Sequence, residues 1–139
     1  GCAIINVASL AGRVPVPGSA VYSASKFGLR AFTYALANEL QTKAIKIATV
    51  SPGPIDTPFI MSDIDSVSDL TFSQKISTVD EVALTILRLC KNNKIEEAMP
   101  KISGFFTNMT YLFPKLGSIL SPLLIKKGRN AKIKLKLKK

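Results

Sequence analysis

Two short apolar runs constrain the fold most. Residues 3–7 (AIINV) are broken only by Asn6, and residues 45–50 (IKIATV) follow about one helix-length later. Continuous runs of this kind suit strands buried on both faces, as in a parallel sheet. Residues 9–19 (SLAGRVPVPGS) are rich in Gly and Pro and predict a loop. Ser19 then stands as an N-cap for a helix over residues 20–42, with Phe27, Ala31, Tyr34, Ala35 and Leu36 among its apolar positions. The second run stops at SPGPIDTP, residues 51–58, which holds three prolines and a glycine. Residues 59–77 are polar, with three aspartates, and predict a mobile loop containing short helical pieces. Thr78 caps a helix over residues 79–91, with Asp80 and Glu81 in its first turn. Val82, Ala83, Ile86, Leu87 and Leu89 form its buried stripe, and Asn92 and Asn93 close it. Residues 95–99 make a short last strand. The order strand, helix, strand, helix, strand predicts an α/β layer fold with a parallel sheet. Three strands alone would leave an inner strand exposed as an edge.

Composition narrows the chemistry. The 139 residues contain no histidine, so Ser-His-Asp and Cys-His arrangements are excluded and the usual zinc ligand is missing. Cys2 and Cys90 match no metal-ligand spacing and read as reduced thiols of a cytoplasmic protein. No metal site is expected. Any catalysis must use hydroxyls, lysines, carboxylates or a cofactor. The net charge of +10 is unevenly placed: residues 126–139 hold eight Lys or Arg and no acid, whereas residues 1–125 hold eleven basic and nine acidic residues. The excess therefore describes a tail and not the chemistry of the domain. The chain also opens almost at once on a strand-like run, with no basic start ahead of a long apolar core, and reads as though it begins in the middle of a fold.

Residues 20–32, AVYSASKFGLRAF, place Tyr22 four residues ahead of Lys26 with only small side chains between them. On a helix such a pair shares one face, with Cβ atoms ~5–6 Å apart. A free phenol has a pKa of ~10 and is a poor proton relay at neutral pH. Two unit charges ~4 Å apart at an effective dielectric of ~20 interact by about 4 kcal/mol, enough to lower the phenol by up to roughly 3 pH units. The pair is a histidine-free way to build an acid/base near neutrality. Alone, the spacing is weak, and a solvated i,i+4 pair is its default reading.

Three stretches together carry a resemblance. NVASLAG at 6–12, YSASK at 22–26 and SPGPIDTP at 51–58 resemble consecutive motifs of the classical short-chain dehydrogenase/reductase family, in order and in spacing. Ser9 stands thirteen residues before Tyr22, as that family's catalytic serine does. The resemblance implies a Rossmann-type doubly wound parallel sheet, here incomplete, with residues 1–101 as the C-terminal half of a catalytic domain. It implies that Tyr22 exchanges the proton at the substrate oxygen. Lys26 would tune Tyr22 and hydrogen-bond the nicotinamide ribose, and Ser9 would hold the carbonyl. The Pro52-Gly53 turn would face the nicotinamide, with the Ile55 backbone and the Thr57 hydroxyl on its carboxamide. The implied reaction is reversible reduction of a carbonyl by NAD(P)H, with NADP favoured over NAD and an apolar carbonyl or alcohol as substrate. A homo-oligomer paired through the Tyr22 helix is implied for the complete protein. No G-x-x-x-G-x-G phosphate turn occurs in the chain. It is therefore expected to bind dinucleotide weakly, and to fold poorly, on its own.

Residues 102–125 are largely apolar with one charge, Lys115, but Pro114, Pro122 and Asn108 interrupt them. A pair of short amphipathic helices is expected rather than a membrane span. They would form a lid or a membrane-surface segment, with Phe105, Phe106, Met109, Tyr111 and Phe113 lining a substrate pocket or resting on lipid. Residues 126–139 alternate Lys with Ile and Leu. They read as a solvated tail or as an attachment to an anionic membrane surface, making the protein peripheral. Nucleic acid is not expected as a partner, since aromatic residues do not interleave with the charges. The alternative to an enzyme is a non-catalytic, membrane-associating remnant that keeps these residues by descent.

Overall fold

The computed structural model describes residues 1–137. Strands β1 (Cys2–Val7), β2 (Ile45–Pro52) and β3 (Glu96–Met99) form one parallel sheet in the order β1-β2-β3. Helix α1 (Ala20–Glu39) joins β1 to β2, and α3 (Val79–Lys91) joins β2 to β3. The register pairs Ile5 with Ala48, Asn6 with Thr49, and Thr49 with Glu96.

Alternation along the strands gives the sheet two chemically unlike faces. One face carries Ile5, Ala48, Val50 and Met99, which pack with Leu89 and Ile86 of α3 into the apolar core. The other carries Asn6, Thr49, Ser51 and Glu96, which are linked by hydrogen bonds within the sheet and, through Asn6 and Glu96, to α1. Asn6 Nδ2 donates to Thr33 Oγ1 at 2.9 Å, Thr49 Oγ1 donates to the Asn6 carbonyl at 3.0 Å, and Ser51 Oγ donates to Glu96 Oε1 at 2.7 Å. Helices thus cover both faces.

The edges explain where burial departs from the apolar pattern. Residues 3–7 do not form a strand buried on both faces: Ile4 and Val7 are 43% and 42% exposed, because β1 has a partner on one side only. On α1, Ala31 and Ala35 face solvent, and the fully buried positions are Ser23 and Thr33. Ser19 makes no side-chain cap; its carbonyl accepts from the Ser23 amide instead. On α3 the buried set is Val82, Thr85 and Leu89, with Ala83 and Leu87 exposed. Its start follows the sequence pattern, since Thr78 and Glu81 complete a reciprocal capping box. Cys2 and Cys90 are both free and exposed.

Residues 58–77 contain α2 (Pro58–Met61) at their start and a 3-10 helix, Asp69–Ser73. After β3 the chain forms α4 (Lys101–Leu112) and α5 (Pro114–Lys136). Helix α5 runs without a break across residue 125, so the second half of the apolar segment and most of the basic tail share one helix; Lys138 and Lys139 lie outside the described residues. This helix packs on the Asp69–Ser73 turn. Arg129 and Lys132 reach Asp69 at 3.2 and 3.3 Å, Lys136 pairs with Asp65, and Lys132 Nζ donates to the Val67 carbonyl at 2.6 Å. Gly128 permits this approach, since a Cβ there would overlap the Asp69 carbonyl. Among the described residues no helix is long and apolar enough to cross a membrane.

Candidate active site

The residues singled out by the sequence lie around the carboxyl ends of β1 and β2, the edge of an open α/β sheet where ligands bind. β1 ends at Val7, and Ser9 two residues later caps a 3-10 helix, Leu10–Gly12. The Ser9 hydroxyl oxygen accepts from the Ala11 amide at 3.1 Å, so its proton is left for another acceptor.

Lys26 is fixed against this same end. Its ammonium donates to the Val7 carbonyl at 3.0 Å and lies 5.7 Å from the centroid of the Tyr22 ring. One N–H is used and two remain. Helix α1 can come this close because residue 12 is glycine: a Cβ on Gly12 would stand 2.6 Å from the Lys26 carbonyl oxygen. The entry to α1 is further held by the Val16 amide, which donates to Ser23 Oγ at 3.1 Å. Tyr22 is 41% exposed, so its ring is open to a ligand from solution.

β2 ends at Pro52, and the next residues turn across the same edge. The Gly53 amide donates to the Met99 carbonyl at 2.7 Å. A Cβ on Gly53 would lie 3.3 Å from Leu10 Cδ1, which ties this turn to the 3-10 helix that follows Ser9. Gln74 Oε1 lies beside the same point, buried and without a hydrogen-bond donor among the described residues. Ile55 forms an isolated parallel bridge with Ser77. The Asp56 amide donates to the Ser77 carbonyl and the Ser77 amide donates to the Pro54 carbonyl, both at 2.9 Å. In that pattern Ile55's own N–H points away from the bridge. Thr57 precedes α2, and its hydroxyl reaches only the Ile55 carbonyl, at 3.5 Å, the outer limit of a hydrogen bond.

Sequence reasoning missed an ion cluster behind this edge. Glu96, whose side chain is 6% exposed, receives Arg13 at 2.6 Å, Arg30 through Nε and Nη2 at 2.9 Å, Tyr34 at 2.8 Å and Ser51 at 2.7 Å. Burial alone would raise its pKa. The bonds from Arg30, Ser51 and Tyr34, with the charge of Arg13, overcome this and hold the carboxyl at about 2. The Arg30 pKa is raised in turn, chiefly by its bond to Glu96, and that of Tyr34 is raised by burial and by the same bond. Tyr34, which lacks a lysine at i+4, reads from the sequence as simple packing, yet it is a hydrogen-bond donor in this cluster. Arg13 also donates to the Gly104 carbonyl at 3.2 Å, so the cluster joins the loop after Ser9 to α1, β2, β3 and α4.

Comparison with known proteins places these residues in context. The sequence model of the short chain dehydrogenase family matches residues 1–67. Sulfoacetaldehyde reductase 2 of Chromohalobacter salexigens is 43% identical over 61 residues, 44% of this chain and 24% of that enzyme. Acetoacetyl-CoA reductase of Allochromatium vinosum is 36% identical over 87 residues, 60% of this chain and 35% of that enzyme. The matched region thus spans only about a quarter to a third of these relatives. In three dimensions, a short chain dehydrogenase from Burkholderia cenocepacia J2315 in complex with NADP superposes with a TM-score of 0.68 at 26% identity, covering 89% of this chain and 49% of that one. The three-stranded parallel sheet with helices on both faces is a Rossmann-type α/β fold. By sequence over residues 1–67, and by fold over most of its length, the chain is akin to the short chain dehydrogenases.

Proposed function

We propose that this chain carries the acid/base groups of an NAD(P)-dependent oxidoreductase that moves a hydride between the nicotinamide and a carbonyl or alcohol. The single observation behind this reading is the anchoring of Lys26 on the Val7 carbonyl beside the Tyr22 ring, with Ser9 opening the next turn at the same sheet edge.

The residues fit one end of such a cofactor. The Gln74 Oε1 acceptor without a donor, the Ile55 N–H turned from its bridge and the loosely held Thr57 hydroxyl offer both hydrogen-bonding senses that a carboxamide needs. The spare N–H groups of Lys26 suit ribose hydroxyls. The Pro52-Gly53 turn would lie against the nicotinamide ring. Nothing in the sequence matches the glycine-rich phosphate turn.

When bound, the dinucleotide supplies or accepts the hydride. The chain's own residues manage the oxygen. As a carbonyl is reduced, negative charge grows on that oxygen; Ser9 donates a hydrogen bond to it and Tyr22 donates its hydroxyl proton. Lys26, bonded to the Val7 carbonyl, keeps its ammonium beside the Tyr22 ring. A homo-oligomer paired through α1 agrees with the exposure of Val21 and Phe32 on that helix.

Two measurements test the reading. Ligand-observed NMR with nicotinamide mononucleotide should detect binding to the chain, and Lys26→Ala should remove it. Joined behind the glycine-rich half of a relative, the chain should reduce carbonyl compounds with NADH or NADPH, and Tyr22→Phe should lower kcat by roughly 10²–10⁴-fold. Turnover untouched by Tyr22→Phe would reject the mechanism. Mononucleotide binding in a chimera without turnover would favour the non-catalytic alternative.

A further inference from the structure

The residue pattern of α4 is inside out. Gly104 and Thr107 face inward, whereas Ile102, Phe105, Phe106 and Leu112 are 67%, 60%, 50% and 64% exposed. Their spacing puts them on one side of the helix. Helix α5 repeats the arrangement. Its Gly128 and Lys132 side docks on the Asp69–Ser73 turn. Leu116, Ile119 and Leu123, spaced i, i+3 and i+7, are exposed on the opposite side. At 100° per residue, Lys127 and Lys134 continue that outward stripe.

Charge follows the same two helices. Residues 101–139 contain ten Lys or Arg and no Asp or Glu, while residues 1–100 contain nine of each, so the entire net charge of +10 belongs to this segment. Arg129, Lys132 and Lys136 are engaged by Asp65 and Asp69, and Lys101 lies near Glu97. Lys115, Lys126, Lys127 and Lys134 are exposed and have no acidic partner among the described residues.

We propose that α4 and α5 form a docking face for the surface of an anionic lipid bilayer. Phe105, Phe106, Ile119 and Leu123 enter the boundary between head groups and acyl chains, and the four unpartnered lysines meet the anionic head groups. Neither helix can span a bilayer, so the attachment lies in the plane of the surface. Charge selects lipid over a second copy of the chain: two copies meeting here would bring like-charged segments together, whereas an anionic surface complements them. The proposal does not depend on the hydride chemistry.

The test is sedimentation of the chain with phosphatidylcholine vesicles, with and without phosphatidylserine. Binding at least tenfold tighter to the anionic vesicles, weakened by salt, is expected. Each surface lysine contributes ~1 kcal/mol, so Lys126→Ala/Lys127→Ala/Lys134→Ala together should lower affinity about a hundredfold. Phe105→Ser/Phe106→Ser should abolish binding with the circular dichroism spectrum unchanged. If that spectrum changes, Ile119→Ser/Leu123→Ser on the outer side of α5 serves the same purpose. Absence of sedimentation with any vesicle, equal binding to neutral vesicles, or binding indifferent to the apolar variants would overturn the proposal. So would a lipid-free dimer, seen by analytical ultracentrifugation, that Phe105→Ser/Phe106→Ser dissolves, because the face would then belong to a second copy.

Discussion

Glu96→Gln is expected to uncouple the polar face of the sheet. In the wild type the carboxylate stands among two guanidiniums and two hydroxyls, in a position almost closed to solvent. Glutamine keeps the size but presents N–H groups to donors and leaves Arg13 buried without its counter-charge. Breaking a buried pair in this way costs about 3–5 kcal/mol, a large share of the ~5–15 kcal/mol by which a domain is stable. The acid limb gives an independent magnitude. The folded pKa of about 2 lies below the ordinary 4.5, so the unfolded chain binds this proton more readily than the folded one. The corresponding stability is complete above pH ~4.5 and disappears as the pH falls toward ~2. At ~1.4 kcal/mol per pH unit it is about 3 kcal/mol. Urea unfolding followed by circular dichroism, from pH 7 to pH 2, should show a midpoint well below wild type for the variant at neutral pH. The two curves should converge as Glu96 protonates, and the difference between them removes the contribution of other carboxylates. Parallel curves, or a loss under about 1 kcal/mol at pH 7, would refute the role given to this cluster.

Further outcomes follow from single contacts. Leu89→Ala empties a fully buried position in the apolar core and should cost about 2–5 kcal/mol in chemical unfolding. Thr78→Ala breaks the capping box of α3 and should cost ~1 kcal/mol, read in the same experiment. Gly12→Val pushes α1 from the 3-10 helix after Ser9 and should weaken nicotinamide mononucleotide binding beyond its effect on unfolding. Gly128→Val should lift α5 from the Asp69–Ser73 turn, and limited proteolysis should then cut within residues 62–73.

Much of the architecture was legible because it rests on local signals. The runs at 3–7 and 45–50 became β1 and β2, and Thr78 with Glu81 marked the start of α3. The parallel α/β order followed from their alternation. Burial was harder to read. Whether Ile4 is covered depends on a strand's place in the sheet, which periodicity does not encode. Ala31 and Ala35, apolar positions of α1 in the sequence, face solvent. Ser9, Tyr22 and Lys26 could be grouped from the sequence because their spacing is short and spans one loop; the structure sets Lys26 on the Val7 carbonyl, beside the Tyr22 ring. The cluster of Arg13, Arg30, Tyr34, Ser51 and Glu96 was not, because its members come from four separate segments. A glutamate within a short strand ending at Met99 was its one visible trace. The basic tail showed its charge but not its partners, since Asp65 and Asp69 lie some sixty residues earlier.

The seat of α5 on the turn after β2 has a practical side. A purification tag, a fusion partner or a trimmed end placed at the C-terminus does not act on a bystander. It pulls on the loop that leads away from the candidate active site, through Arg129, Lys132 and Lys136. Preparations that differ only in how that end was finished should therefore differ in how readily a protease cuts within residues 62–73.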